Sequence, residues 1–387
     1  MRTEGNTNLI LTIVVAALLA AARQLPAGEA PTIPTPEERA AIEKCLLPMP
    51  PQVQVAIALV RGDSVRFLGV ERTLAGSRLV DNRLAVFQIG SMTKVFTATL
   101  FAQQVVKGKL RLDDTVQSRL PFKLKASGRD GAEMTLGELA SHTSGIAHHQ
   151  PPGLGFHAFL HGHSDEPWKD YDQARFEAYL KEDLALAHKP GTGYLYSNIG
   201  MSLLGKIVGL STGKSYEAML EEGIFRPLDM RGSSTQIAKV RDRVVVGLKA
   251  NGKPFPNQDM AALTPAGGIF TCAEDLARFA RAQFDPAEPA IALTQKPVFT
   301  IEEGYSVALG WHLVEWRQGW RWLNHNGGIG GYTSTLNVDP KNRLAVLVLC
   351  NVMNDDVPGE KVRVLGRELL KQLEAKQKAT AGNDRSR

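Results

Sequence analysis

Leu84-Ala-Val-Phe-Gln-Ile-Gly-Ser-Met-Thr-Lys-Val-Phe-Thr97 decides how this chain is read. An apolar run, Leu84 to Ile89, stops at Gly90, and Ser91-Met92-Thr93-Lys94 then opens a segment, Val95 to Lys107, that reads as a helix. Residues three apart on a helix share a face, so the Lys94 ammonium reaches the Ser91 oxygen. A serine hydroxyl is a weak nucleophile at neutral pH unless a base or a cation activates it. The N-terminus of a helix adds free N–H groups and a positive dipole end where an oxyanion would form. The stretch therefore suits acyl transfer through a serine ester. By itself the spacing is weak evidence. Ser211-Thr212-Gly213-Lys214 repeats it in what reads as a turn between helices, and either copy could be a helix cap with a solvated lysine.

Two other stretches add to the first. Tyr196-Ser197-Asn198 lies in the segment Gly191 to Gly200, after Pro190, and His325-Asn326-Gly327-Gly328 lies between two strand-like runs. A free phenol titrates near 10, and an adjacent cation favours its phenolate. Tyr196 beside Lys94 is thus expected to act as general base toward Ser91. Asn198 carries both a donor and an acceptor, suited to a substrate amide. Gly327 and Gly328 let a strand edge approach a ligand closely.

Taken together, the three stretches resemble the serine β-lactamase and penicillin-binding-protein superfamily, and within it the branch of class C β-lactamases, D-Ala-D-Ala carboxypeptidases and related esterases. The order matches, and the phrases Leu136 to Gly145, Pro227-Leu-Asp-Met230 and Gly267 to Thr271 are similar to the same family. The resemblance spans roughly residues 50 to 370. It implies Ser91 as nucleophile, Lys94 as its electrostatic partner and Tyr196 as the base that later returns the proton to the leaving group. It implies Asn198 as a substrate-amide contact, with His325, Gly327 and Gly328 on the substrate-binding strand. The oxyanion hole would be the N–H groups of Ser91 and Gly328. Two positions depart from the class C pattern. His325 stands where lysine is usual, and Gln88 stands where glutamate is usual. Histidine is only partly charged at neutral pH, so substrate affinity through His325 is expected to depend on pH, and efficient β-lactamase activity is the part of the resemblance these changes weaken.

Composition fits an enzyme acting on small molecules. The 387 residues carry 45 basic and 40 acidic side chains, mixed along the chain, with no basic stripe interleaved with aromatics. That pattern gives no support to nucleic-acid binding. Leu9 to Ala22 is apolar but short for a membrane span, and the alanines at 20–22 offer a cleavage site. Residues 1–30 are expected to be a signal peptide, with an uncleaved inner-membrane anchor as the rival, which places the protein in the periplasm or outside the cell. Cys45, Cys272 and Cys350 show no paired spacing, and at most one disulfide is expected.

The remaining pattern predicts an α/β domain over 31–376. An antiparallel sheet from both chain ends, about 45–115 and 256–376, is flanked by helices, with a mainly helical lobe inserted over about 116–255. The strands are Val53 to Val60 and Val65 to Val70, joined at Arg61-Gly-Asp-Ser64, then Trp311 to Trp316, Trp320 to Asn324, Tyr332 to Val338 and Arg343 to Leu349. A turn is expected at Gln318-Gly319, loops at 128–131 and 153–155, a closing helix over Val362 to Leu373 and a disordered tail over 377–387. The site would lie where the lobes meet.

Six of nine histidines fall between His142 and His163. His157 and His161, at i and i+4, could share a metal if helical, but there is no HExxH, so neither a catalytic metal nor any other cofactor is expected. The segment reads instead as a polar lid. Gly209-Leu-Ser-Thr-Gly-Lys-Ser215 is one residue short of a phosphate-binding loop. An esterase of the same family, or a non-catalytic binding protein on the same fold, are the functional alternatives.

Overall fold

Seven consecutive residues of Leu344–Cys350 are buried, which only a strand covered on both faces can satisfy. The computed structural model describes residues 33–316, 320–353 and 356–384. The main sheet comprises β1 (Gln54–Arg61), β2 (Ser64–Thr73), β3 (Gly76–Leu79), β4 (Phe299–Glu302), β5 (Tyr305–Val307), β6 (His312–Trp316), β7 (Trp320–Ile329), β8 (Tyr332–Asp339) and β9 (Leu344–Cys350). The order across it is β4-β5-β6-β7-β8-β9-β1-β2-β3, and every neighbouring pair is antiparallel. The β1–β9 seam, with Ile57 opposite Val348, joins the two ends of the chain as the sequence pattern predicts.

The period of two decides which residues face which layer. Val55, Ile57, Leu59, Val346 and Val348 point into a core shared with two helices, α1 (Pro36–Leu46) and the last helix α9 (Asp356–Asp384). Ala56, Ala58, Val60, Leu347 and Leu349 point the other way, into the larger core. That core also takes in α2 (Thr93–Val106), α6 (Asn198–Thr212) and α8 (Ala273–Ala282). Between β3 and β4 the chain forms mostly helices, among them α3 (Leu136–Ala140), α4 (Leu154–Leu160), α5 (Gln173–Glu182) and α7 (Tyr216–Leu220).

Several expectations change. The segment 377–384 is the end of α9 rather than a disordered tail, because Gln377 Nε2 donates to Asn342 O at 3.2 Å and Lys376 pairs with Glu38 at 3.1 Å. The loop at 128–131 is a small hairpin pairing Gly128–Arg129 with Ala132–Glu133. Gly153, at φ 74°, is the left-handed residue from which α4 starts at Leu154, so the expected loop at 153–155 is a helix entry. All three cysteines are buried free thiols, so none forms the disulfide the count allowed. The expected signal segment 1–30 and the Gln318-Gly319 turn lie outside the described residues.

Candidate active site

Gly90 shapes the entry to the nucleophile. Its φ is +52°, and a Cβ there would stand 2.9 Å from Gly328 N. A Cβ on Gly327 would fall 1.9 Å from Ile89 O. Only glycines therefore let β7 run directly against the turn before Ser91, and Ser334 Oγ donates to Ile89 O at 2.8 Å to fix the contact. A 3₁₀ turn, Gly90–Met92, carries Ser91 and leads straight into α2.

Lys94, in the first turn of α2, is fully buried. Its Nζ donates to Ser91 Oγ at 3.0 Å and to Ala266 O at 2.6 Å. Tyr196 lies just before α6, where Ser197 caps the helix by accepting from Gly200 N at 3.0 Å. Lys94 Nζ sits 4.8 Å from the Tyr196 ring centroid, and the neighbouring Ser91 side chain acts to lower the phenol's pKa. Two residues one helical turn apart and a third from a distant segment are thus brought together around Lys94 Nζ. Asn198 opens α6, buried beside them, with its N–H donating to His149 O at 2.8 Å.

Burial reverses the expected proton balance. It lowers Lys94 well below the ordinary lysine value and pushes the Tyr196 phenol up, against the lowering effect of Ser91. The surroundings thus favour a neutral amine beside a neutral phenol, not the ammonium–phenolate pair that adjacency alone suggested.

His325 is corrected in the same way. Its Nδ1–H donates to Asn326 O at 2.8 Å, while Nε2 finds no protein partner. Burial first, then the nearby His312 and Lys94, hold the imidazole well below its usual pKa. Burial thus disfavours the charged imidazole on which the expected pH-dependent affinity through His325 relies.

Sequence reasoning missed a layer around these groups. His312 on β6 lies 5.3 Å from the His325 ring and accepts from Tyr194 Oη at 2.9 Å. Tyr305 stacks on its other side at 5.5 Å. Burial, helped by Lys94, lowers His312 to about 4. Tyr194 could have been found, because it stands two residues before Tyr196 in an extended segment and so faces the same side. The histidine-rich segment reaches the site through His142 and His149, whose rings lie 4.4 and 5.2 Å from that of Tyr196. His142 Nδ1 accepts from Ser197 N, outside its own turn, at 3.2 Å. His157 lies on α4 and His161 is the residue that caps its end, but the ring nitrogen that converges with His157 belongs to His163. The second S-x-x-K ends α6 at a left-handed Gly213, far from any such arrangement.

The beta-lactamase family profile matches residues 52–371. Penicillin-binding protein 4 of Amycolatopsis lactamdurans is 32% identical over 289 residues, covering 69% of this chain and 72% of that protein. The D-alanyl-D-alanine-carboxypeptidase/endopeptidase AmpH of Escherichia coli (strain K12) is 24% identical over 315 residues, covering 76% and 78%. Among solved structures, a beta-lactamase/D-alanine carboxypeptidase from Pseudomonas syringae superposes with a TM-score of 0.71 over 87% of this chain and 98% of that one. At 19% identity this likeness speaks for the fold alone. An octameric penicillin-binding protein homologue from Pyrococcus abyssi superposes at 0.69, with 25% identity, over 84% and 75%.

Proposed function

Because the chain belongs to the beta-lactamase family and is a serine hydrolase, we propose that it works through an acyl-enzyme on Ser91, taking β-lactams or D-Ala-D-Ala-type peptides as substrates. The observation that carries the residue assignment is the position of Lys94 Nζ, 3.0 Å from the Ser91 hydroxyl and 4.8 Å from the Tyr196 ring centroid.

In this reading Ser91 Oγ attacks the substrate carbonyl carbon and its proton passes to the Lys94–Tyr196 pair. The carbonyl π electrons move to oxygen, where the N–H groups of Ser91 and Gly328 would receive them. The close approach of β7 to Gly90 supports that pairing of donors. Loss of one such donor typically costs about 3–4 kcal/mol of transition-state stabilisation. Collapse of the intermediate breaks the C–N bond, and the pair returns its proton to the leaving nitrogen. Water then attacks the ester carbonyl, the same pair taking its proton and passing it to Ser91 Oγ as the C–O bond breaks and the acid leaves. Asn198 would orient the substrate amide. Export to the periplasm or beyond belongs to this proposal and rests on the apolar run Leu9 to Ala22. Among the described residues no helix is long and apolar enough to cross a membrane.

One observation favours a second substrate class, small carboxylic esters. Burial lowers the pKa of both His325 and His312, which works against either presenting a cation to a substrate carboxylate. Intact-mass spectrometry during incubation with a penicillin separates these outcomes. A lasting adduct in the native chain, absent from Ser91→Ala, indicates a slowly deacylating penicillin-binding peptidase. Drug hydrolysis without an adduct, abolished in Ser91→Ala, indicates a β-lactamase. Neither adduct nor hydrolysis, with Ser91-dependent cleavage of short esters, moves the assignment to the esterase. An adduct that persists in Ser91→Ala overturns the nucleophile.

A further inference from the structure

The histidine-rich segment holds a second cluster, apart from the reacting hydroxyl. His157 lies on α4, His163 follows Gly162 after that helix ends, and Asp170 lies just before α5. One ring nitrogen from each histidine and one carboxylate oxygen of Asp170 all lie within 4.8 Å of one another. His163 Nε2 is 2.7 Å and His157 Nε2 4.0 Å from Asp170 Oδ2.

The hydrogen bonds on the far sides of the rings decide what these atoms offer. His163 Nδ1 lies 3.1 Å from Glu166 O. A carbonyl only accepts, so Nδ1 carries a hydrogen; Nε2, 2.7 Å from the Asp170 carboxylate, donates as well, and a metal ion bound there would displace that hydrogen. His157 Nε2 lies 2.7 Å from Arg175 Nη1. A guanidinium only donates, so this nitrogen presents a lone pair. With the His163 hydrogen displaced, two imidazole nitrogens and a carboxylate converge, and the outer hydrogen bond from Nδ1 fixes the His163 ring as such bonds do for metal-ligating histidines.

We propose that His157 Nε2, His163 Nε2 and Asp170 Oδ2 bind one Zn²⁺ ion. Two imidazoles with one carboxylate select zinc over the oxygen-seeking Mg²⁺ and Ca²⁺. Tetrahedral coordination at about 2.0–2.1 Å would set ligand atoms roughly 3.3 Å apart. The separations of 2.7 and 4.0 Å to Asp170 Oδ2 bracket that value, so small side-chain rotations complete the set. The ion replaces the guanidinium at His157, and Arg175 keeps its other contacts, the Asp170 carbonyl at 3.1 Å and the face of Tyr171. The partly exposed Asp170 leaves the fourth position open to water.

The role is structural. The ion ties α4 to the turn leading into α5. The chain just before α4 meets the active site, where the carbonyls of His148 and His149 accept from Ser197 Oγ at 3.3 Å and Asn198 N at 2.8 Å. Zinc thus pins the segment that covers Tyr196 and takes no part in the acyl chemistry, so this inference stands apart from the Ser91 assignment.

The test is a Zn²⁺ titration of the full chain, free of any histidine tag, against a chromophoric chelator, with melting curves alongside. One ion per chain is expected. His163→Ala and Asp170→Asn should each weaken binding by more than about 100-fold, beyond what loss of an outer-sphere partner causes. His161→Ala, outside the ligand set, should stay within about tenfold of the native chain. Zinc should raise the melting temperature of the native chain and not of His163→Ala. Metal-free melts that coincide show that the variants fold, and Asp170→Asn carries the test if His163→Ala does not. Binding unchanged in both ligand variants, meaning an adventitious ion only, overturns the proposal. So does a chain that takes up no stoichiometric zinc, or one in which His161→Ala is as damaging as His163→Ala.

Discussion

At the scale of single residues, the unusual investment is a lysine with no solvent contact. Lys94 keeps two hydrogen bonds, to Ser91 and to Ala266, but loses the hydration that would stabilise its charge. Burial lowers its pKa while raising that of Tyr196, so the two groups titrate as a pair sharing what the neutral state leaves: one lone pair on nitrogen and one proton on the phenol. If the neutral amine is the form that accepts the Ser91 proton, acylation should rise with pH through an apparent pKa well below 10.5. Lys94→Met should slow acylation by about 100- to 10,000-fold, the range of a lost acid–base group. Stability gives an independent check with a definite sign. Between the lowered folded pKa and 10.5, the unfolded chain holds a proton at residue 94 that the folded chain does not, so stability rises with pH across that window. Denaturant melts over this range should show a slope that Lys94→Met loses. Equal slopes in the two proteins would mean that Lys94 stays charged in the fold.

At the scale of elements, the site depends on β7 lying against the turn that precedes α2. Gly327→Ala would drive a methyl into Ile89 O, a backbone atom that cannot swing aside. The strand must then move away from Ser91, and a displacement near 1 Å is enough to cost about 100-fold in rate. Acylation by penicillin should fall by about that factor, more than any change in affinity, and an unchanged rate would show that the strand does not position the reacting groups. This junction also marks how far the sequence could be read. Ser91 and Lys94 were legible because their relation is local, one helical turn. The run of strands from β6 to β9 was legible because each is a short stretch rich in apolar, aromatic or β-branched residues and bounded by turn residues, β9 being apolar throughout. The charge of His325 was not, since burial belongs to the assembled sheet and not to the residue. His312 went unread because its partners, Tyr194 and Tyr305, come from separate segments. The short pairing of Val86–Gln88 with Phe270–Cys272, which steadies the approach to Ser91, joins segments with no shared signal. The tail over 377–384 looked disordered because a polar helix earns stability only from what it packs against.

For the whole molecule, that packing is a junction of the two chain ends. The β1–β9 seam closes the sheet, and α1 and α9 cover the same face of it. Glu38 on α1 is 1% exposed and sits at the crossing point. It accepts from Arg66 Nη1 and Nη2 at 2.9 and 3.1 Å, from Lys376 Nζ at 3.1 Å and from Thr35 N at 2.9 Å. One carboxylate thereby links helix, strand and final helix. Burial would raise its pKa, yet the bonds from Arg66, Thr35 and Lys376 outweigh it and hold the carboxyl at about 2. A depressed carboxylate contributes its full stability above the unfolded value of about 4.5 and loses it as pH falls toward about 2. Arg66 and Lys376 remain a third to nearly half exposed, so solvent screens part of the attraction. Glu38→Gln should therefore cost about 1–3 kcal/mol at pH 7, less than breaking a fully enclosed pair. The gap between native and variant stability should shrink as pH falls from 4.5 to about 3, while the rate of Ser91 acylation at pH 7 stays unchanged. A gap that does not vary with pH would assign the loss to the Thr35 cap alone. A gap near zero would mean that the apolar seam holds the chain ends together without this charge.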